Sequence, residues 1–175
     1  MKTYEFTLKF SIPDMSDKED IEDRLFKAGC DDALVATGLR GRLALDFSRQ
    51  ARSAEQAINS ALKAVTKALP EASLIEASPD LVGVSDIAEL LSFSRQNMQK
   101  LIRTHAATFP SPLHDGTAGL WHLADVLRWF EQHQARHIER EMLDIARASR
   151  LLNLSRELAR LNEAERRKCA SLLAS

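Results

Sequence analysis

The sequence predicts a mixed α+β fold, and three observations carry that prediction. Apolar and polar residues alternate near the N-terminus and again over residues 43–47, which is typical of half-buried strands. Elsewhere, apolar residues recur every three or four positions, which indicates amphipathic helices. Two prolines and a glycine-bearing loop interrupt the helical pattern over residues 109–119. We therefore expect an N-terminal domain over residues 1–78, a central domain over 79–130 and a helical C-terminal extension over 131–175.

Length and composition are those of an ordinary globular protein. The chain has 175 residues, of which 45% are hydrophobic and 28% charged, and its formal net charge is −1. A protein with this charge does not coat nucleic acid through bulk electrostatics, so any contact with DNA requires a local basic patch. No apolar stretch approaches the length that spans a bilayer, and the alternating start with Glu5 is unlike a signal peptide. We expect a soluble, cytoplasmic protein that does not bind membranes.

The first domain is predicted to contain two helices packed on one antiparallel sheet, the arrangement called ferredoxin-like. Ile21, Leu25 and Phe26 share a face of the first helix, which we expect to be buried, and Gly29 ends that helix. Ser53, followed three residues later by Gln56, forms a capping box that opens the second helix. The predicted elements, in βαββαβ order, are a strand over Tyr4–Ile12 that ends at Pro13-Asp14, a helix over 18–28, strands over 33–35 and 43–47, a helix from Ser53 to about Leu69, and a strand over 73–76.

Residues 84–105 follow the joint at Ser78-Pro79-Asp80, and they predict two helices joined by a tight turn. Ser85 is expected to cap the first helix and Ser94 the second, which runs from Arg95 to Thr104. Ser92 lies in the turn, where either its backbone adopts a left-handed conformation or the turn adjusts to a serine. The inward positions have the spacing of a helix-turn-helix; they are Ile87, Ala88, Leu91, Phe93, Met98 and Leu101.

The second of these helices exposes long polar side chains and no carboxylate. No Asp or Glu occurs from Ser92 to His114, so this stretch is locally electropositive on a chain that is neutral overall. Guanidinium and amide groups pair with base edges in the major groove of DNA. We expect Arg95 to contact guanine and Gln96 or Asn97 to contact adenine. The predicted DNA-binding residues of this helix are Ser94, Arg95, Gln96, Asn97, Gln99, Lys100 and Arg103, of which Lys100 and Arg103 hold phosphates.

A β-hairpin wing is predicted after the second helix, from Phe109-Pro110-Ser111-Pro112, the Gly116–Gly119 loop and Trp121, and a helix follows over residues 125–130. Together with Ser85–Ala88, Ser94–Asn97 and Asp125–Trp129, these residues resemble the winged helix-turn-helix family of MerR-like regulators and small AlpA-type phage excisionases over roughly a quarter of the chain. The resemblance implies that the second helix reads the major groove and that the wing, through His114 and Thr117, contacts phosphate. The chain departs from the family pattern at Ser92, where Gly is commonest, and at Asp115, which lies at the tip of a wing that is usually basic.

The C-terminal extension is predicted to be helical, with two apolar stripes that are offset by one position. Such an offset rotates the stripe by about 100° around a helix, so we expect a break near residues 150–153. Asn162 and Glu165 form a capping pair for a last helix that ends near Ala174. We expect the stripes to contact a second copy or a partner protein; they consist of Ile138, Met142 and Ile145, and of Leu151, Leu154, Leu158 and Leu161.

No catalytic, metal or cofactor site is predicted. Cys30 and Cys169 form no CxxC pair, and the acids that follow Cys30 raise the pKa of its thiol, which disfavours a nucleophile. His133, His137 and Glu141 recur every four residues, a spacing that can hold zinc on a helix. A solvated charged face is the favoured interpretation, because the sequence supplies no further ligand. We expect a protein that is not an enzyme.

The sequence therefore predicts a DNA-binding transcriptional regulator, a repressor or autoregulator that occupies a double-stranded operator as a homodimer. A single recognition helix reads only a few base pairs, so useful specificity requires a second copy. Two alternatives stay open. One is an excisionase-like architectural factor that bends DNA; the other is a protein-binding module, such as an antitoxin, whose C-terminal helices wrap a partner.

Overall fold

The structure is a computed structural model that describes residues 1–13 and 18–172. These residues form a four-stranded antiparallel sheet, a two-stranded sheet and seven helices, which confirms the mixed α+β class that the sequence predicts. Two predicted element ends, at Asp14 and near Ala174, lie outside the described residues. The elements of the N-terminal part are β1 (Lys2–Ser11), α1 (Lys18–Lys27), β2 (Ala33–Ala36), β3 (Arg42–Ala51), α2 (Ala54–Ala68) and β4 (Ser73–Ser78).

The four strands are ordered β2-β3-β1-β4, and each neighbouring pair is antiparallel. Alternation places every second residue of β1 and β3 on the helix side, where Phe6 and Phe47 face each other with ring centroids 5.1 Å apart. The helices cover this face because their apolar residues recur at helical spacing. The buried side chains of this first core include Tyr4, Leu8, Phe10, Ile21, Leu25, Leu43, Leu45, Ile58, Ala61 and Val65.

The prediction for Phe26 is wrong. Ile21 and Leu25 are buried, but the Phe26 side chain is 68% exposed. One residue along a helix turns the side chain by about 100°, so Phe26 lies beyond the edge of the face that Leu25 buries against the sheet domain.

The remaining elements begin with a strand that the sequence pattern did not reveal. β5 (Leu81–Val82) pairs with β6 (Trp121–His122) in a second, two-stranded antiparallel sheet that joins the segment after Asp80 to the end of the predicted wing. Strands of two residues are too short to show any periodicity. The elements are β5 (Leu81–Val82), α3 (Val84–Leu90), α4 (Arg95–Thr104), β6 (Trp121–His122), α5 (Leu123–His133), α6 (Arg140–Arg160) and α7 (Glu163–Leu172).

Two helix ends differ from prediction. The residue that precedes α3 is Gly83 rather than Ser85, because the helix begins at Val84 and the carboxylate of Asp86 accepts the Gly83 N–H at 2.7 Å. The extension is also not helical from its start: α5 ends at His133, and α6 begins only at Arg140. Ala135 between them has a positive φ of 45°, which a helix cannot accommodate.

Helix α6 runs without interruption through the predicted break at residues 150–153, so that prediction is wrong. The apolar stripe rotates around the helix because different side chains of α6 pack against different parts of the molecule. Ile145 and Ala148 complete the first core, whereas Leu143 and Ala146 belong to a second core formed by the central domain. One helix therefore contributes buried side chains to both parts of the molecule.

A buried polar junction lies where these parts meet. Asp80, which is 2% exposed, accepts a hydrogen bond from Asn153 at 2.8 Å and lies 2.7 Å from His122 Nδ1. Asn153 also bonds both backbone groups of Ala77: its Oδ1 accepts the Ala77 N–H and its Nδ2 donates to the Ala77 carbonyl. This junction fixes α6 against β4 and against the linker to the central domain.

The last helix, α7, lies at the surface and contacts the end of α6 through Arg166. The predicted capping pair is confirmed, since Glu165 N donates to Asn162 Oδ1 and Asn162 N donates to Glu165 Oε2. None of the described residues of α7 is buried. In residues 1–13 and 18–172, no helix combines the length and the apolar content needed to cross a bilayer.

Candidate nucleic-acid interface

Helices α3 and α4 pack through small and flexible side chains that hold them close together. Ile87 and Met98 are completely buried, and Ala88 is nearly so. The turn between the helices passes through Ser92, whose φ of +55° confirms the expected left-handed conformation. This turn lets Phe93 N donate to the Ala88 carbonyl at 2.7 Å, which fixes the angle at which α4 leaves α3.

Ser94 starts α4 as predicted. Its Oγ accepts the N–H of Asn97 at 3.2 Å, which satisfies one of the unpaired donors at the helix start. Because Met98 points inward, the opposite side of α4 faces solvent. The predicted DNA-binding residues on that side, Ser94, Arg95, Gln96, Asn97, Lys100 and Arg103, are exposed, and Gln99 is half-buried.

The cations of α4 form no ion pair with the residues that the structure describes, whereas many cations elsewhere in those residues do. Among the residues that the structure describes, Arg95, Lys100 and Arg103 take part in none of the ion pairs. In contrast, Lys2 and Lys9 bind Glu141 and Glu76 at 2.7 and 2.6 Å. Unpaired cations on one helix face give that face a positive potential and leave the charges available to an anion.

The predicted wing is a short closed loop whose two ends meet at an antiparallel bridge between His114 and Leu120. Leu113 N donates to the Leu120 carbonyl at 2.7 Å, and Leu120 N returns a bond to the His114 carbonyl at 3.1 Å. Gly119 allows this closure, because a Cβ atom there would lie 2.7 Å from the Trp121 ring. His114 and Thr117 are exposed on the loop, and so is Asp115.

Two tryptophans anchor the segment that carries the wing. Trp121 Nε1 donates to the Pro110 carbonyl at 3.0 Å, and Trp129 Nε1 donates to Thr108 Oγ1 at 3.3 Å. Phe109 lies between the two indole rings, with edge-to-face contacts to both. The loop therefore extends from a rigid aromatic base beside α4.

Arg136 is a residue that the sequence-based prediction missed. It lies in the non-helical segment between α5 and α6, and its guanidinium Cζ is 5.2 Å from the centre of the Phe93 ring. Phe93 directly precedes the cap of α4, so this contact places a further cation beside the start of that helix. No local sequence pattern connects Arg136 to Phe93, because only the tertiary fold brings them together.

The residues expected to contact a second copy or a partner separate into two groups. Ile138 and Ile145 are buried in the chain's own cores, so the prediction is wrong for these two side chains, whereas Met142 is half-buried against the second core. The reason is that the first half of α6 joins the two cores. Leu151, Leu154 and Leu158 are exposed, and Leu161 is half-buried. The second stripe thus remains accessible, and its Leu158 lines a groove between α6 and α7.

The other candidate chemistry finds no support in the geometry. His133, His137 and Glu141 do not share a helix, because the chain is not helical between α5 and α6. Within the described residues, no cluster of three His, Cys, Asp or Glu side chains is arranged to hold a metal ion. Burial raises the pKa of the Cys30 thiol, with Asp32 adding to the shift and Arg49 opposing it. Burial, rather than the neighbouring acids, is the main cause.

Comparison with known proteins assigns the chain to no family. No family model, no curated protein and no solved structure matches it. Its function is inferred from the geometry and charge of its own residues.

Proposed function

We propose that the chain is a sequence-specific DNA-binding transcriptional regulator that acts as a repressor or autoregulator on double-stranded DNA. In this proposal residues 1–78 form a ferredoxin-like domain, residues 79–130 a winged helix-turn-helix and residues 131–175 a helical extension. Repression is steric: a homodimer occupies an operator whose two half-sites lie about 10 base pairs apart, or a multiple of that spacing.

A single observation carries the proposal. The solvent face of α4 holds Arg95, Lys100 and Arg103 without an ion pair among the described residues, interleaved with the exposed amides of Gln96 and Asn97. A structural helix face on a protein of net charge −1 would normally mix acids with its bases. A face of guanidinium, ammonium and amide groups is suited to the major groove.

The roles of the residues follow from their positions on α4. Arg95, Gln96 and Asn97 lie in the first turn, the part of a recognition helix that enters the groove, so they are assigned to base edges. Lys100 and Arg103 lie further along and are assigned to phosphates. His114 and Thr117 on the wing are assigned to the backbone of the adjacent groove, and Arg136 to a phosphate near the start of α4.

The test is selection of bound sequences from a random DNA pool by the full chain at two salt concentrations. We expect enrichment of a palindrome at both, because base contacts survive when the phosphate contribution is weakened. The double variant Gln96→Ala, Asn97→Ala should lose about 1–3 kcal/mol per base contact and relax the choice of sequence. The matched control, Gln50→Ala with Asn59→Ala, changes exposed amides of the N-terminal domain and should bind as the parent does. An operator bound equally well by both double variants would show that α4 does not read it.

One observation favours a second candidate, a protein-binding module such as an antitoxin. Leu151, Leu154 and Leu158 are exposed on one stripe of α6, and a partner helix could cover them. If no sequence is enriched from the random DNA pool, the protein-binding function is favoured. The excisionase-like alternative differs in the shape of the bound DNA, and gel shifts with the site placed at different positions along a fragment would reveal a strong bend.

A further inference from the structure

The two edges of the four-stranded sheet differ in how they are covered. At β4, helix α6 packs beside the strand, and the amide of Asn153 bonds the outward N–H and carbonyl of Ala77. At the other edge, β2 has a neighbour only on its β3 side among the described residues. Its residues, Ala-Leu-Val-Ala, include neither a charge nor a proline, the features that usually prevent an exposed edge from pairing.

We propose that β2 pairs antiparallel with β2 of a second copy of this chain, across a two-fold axis at Val35. Two four-stranded sheets would then join into one sheet of eight strands. The proposed dimer rests on the proposed function, because an operator with two half-sites requires two copies of the chain. Its physical basis is the sheet edge, which can be examined without DNA.

The backbone of β2 presents the groups that such pairing needs. Ser48 N donates to the Asp32 carbonyl, and hydrogen-bonded pairs alternate along an antiparallel ladder. Leu34 and Ala36 therefore direct their N–H and carbonyl groups toward β3, whereas Val35 directs both of its groups away from it. A two-fold axis at Val35 makes it a hydrogen-bonded pair with its own symmetry mate, so both of its outward groups are satisfied.

The side chains are complementary in the same register. Pairing Val35 with its mate places Leu34 beside Ala36 of the second copy, on the sheet face away from the helices. Leu34 is 76% exposed, one of the most exposed large apolar side chains in the described part of the chain. Ala36 borders a shallow groove of about 400 Å³ that Ala44, Leu39 and Ile75 also line. In this register each copy places its Leu34 against the Ala36 side of the other copy's groove, and both leucines lose contact with water.

Charge favours the antiparallel direction. Asp31 precedes β2 and Arg40 follows it, while Asp32 is already held by Arg49 in an ion pair of 2.7 Å. Antiparallel pairing brings the acidic end of one strand toward the basic end of the other. Parallel pairing would place acids against acids and bases against bases, which is unfavourable for charges held side by side.

The experiment measures the mass of the full chain in solution without DNA, by sedimentation equilibrium over a range of concentrations. We expect the parent to weigh twice the 19.6 kDa of one chain. Leu34→Lys should weigh as one chain, because it places a charge in the apolar contact, and its exposed position leaves the fold intact. Val35→Pro should do the same, because it removes the outward N–H and no bond to β3. The controls are Val35→Ala, which keeps that N–H, and Leu154→Lys, which charges the stripe on α6; both should stay dimeric.

Several results would overturn the proposal. A monomeric parent, a dimeric Leu34→Lys chain, or a dimer that only Leu154→Lys separates would each exclude the β2 edge. If Val35→Pro loses its circular dichroism spectrum, Leu34→Lys decides alone. Failure here is distinct from failure of the proposed function. A monomer that enriches one DNA half-site would contradict the β2 contact and the dimeric operator but not DNA recognition by α4, whereas a dimer that enriches no sequence would contradict only DNA recognition.

Discussion

Asn153 is the residue on which the connection between α6 and the sheet depends most directly. Its one side chain makes three hydrogen bonds, two to the backbone of Ala77 and one to the buried carboxylate of Asp80. An amide can do this because it carries a donor and an acceptor side by side, matching the N–H and carbonyl of a strand edge. No hydrophobic side chain could replace it without leaving buried polar groups unpaired.

Replacing Asn153 with Ala should therefore destabilise the chain by about 2–3 kcal/mol, since the backbone groups of Ala77 and one oxygen of Asp80 lose their partner. Urea unfolding followed by circular dichroism measures the change. Asn59→Ala, at an exposed position on α2, is the matched control and should change stability by less than about 0.5 kcal/mol. Equal effects of the two substitutions would mean that solvent replaces the lost bonds at the junction.

At the scale of single residues, sequence patterns reveal exposure better than they reveal partners. The polar face of α4 follows from the burial of Met98, which the helical spacing predicts. The contacts of Arg136 with Phe93 and of Asn153 with Ala77 join residues that are distant in the chain. No local rule selects such pairs, so both were beyond prediction from the sequence.

The turn between α3 and α4 is one of two places in the described chain where a residue other than glycine has a positive φ. Ser92 adopts a φ of +55°, where the Cβ of an L-residue is crowded by its own backbone. Ser92→Gly should stabilise the chain by about 0.5–1 kcal/mol, because glycine relieves this crowding and offsets its greater freedom in the unfolded chain. The shift in the midpoint of thermal unfolding measures the effect.

The control for this substitution is Ser155→Gly in the middle of α6, where the backbone is helical. It should destabilise by about 0.5 kcal/mol, because glycine has the lower helix propensity. The two serines should therefore respond with opposite signs. Destabilisation at both positions would mean that the Ser92 side chain contributes more than its backbone conformation costs.

Elements with strong periodicity are predictable from this sequence, and elements defined by tertiary contacts are not. Alternation in β1 and β3 predicts the central strands, and the recurrence of Ala57, Ile58, Ala61 and Val65 predicts α2. The continuity of α6 was missed because its apolar stripe rotates where the helix leaves the cores. Neither proline nor glycine occurs in α6, and this absence is the local signal that favours an unbroken helix.

For the molecule as a whole, α6 contributes buried side chains to both cores, whereas α7 contributes none. Ending the chain at Leu161 removes α7, of which no described residue is buried, and should lower the unfolding midpoint by no more than about 4 °C. Ending it at Phe130 removes Leu143, Ile145, Ala146 and Ala148 from the two cores. At about 2–5 kcal/mol for each large side chain, the loss of Ile138, Leu143 and Ile145 is comparable with the whole stability of a domain, so cooperative unfolding should disappear.

Calorimetry of the two shortened chains measures this difference. A cooperative transition in the chain that ends at Phe130 would show that the sheet and the helix pair are stable without α6. A large loss in the chain that ends at Leu161 would instead show that α7 contributes to the fold through contacts with its neighbours, such as the bonds from Arg166 to the carbonyls of Leu158 and Leu161.

The place of α6 in both cores also has a consequence for synthesis. Domains commonly fold from the N-terminus as they leave the ribosome. Here the core of the sheet needs Ile145 and Ala148, which are translated after the whole helix pair and wing. Part of the apolar surface of the sheet therefore stays exposed until α6 has left the ribosome. The N-terminal strands, although they are synthesised first, complete their packing only after α6 is available.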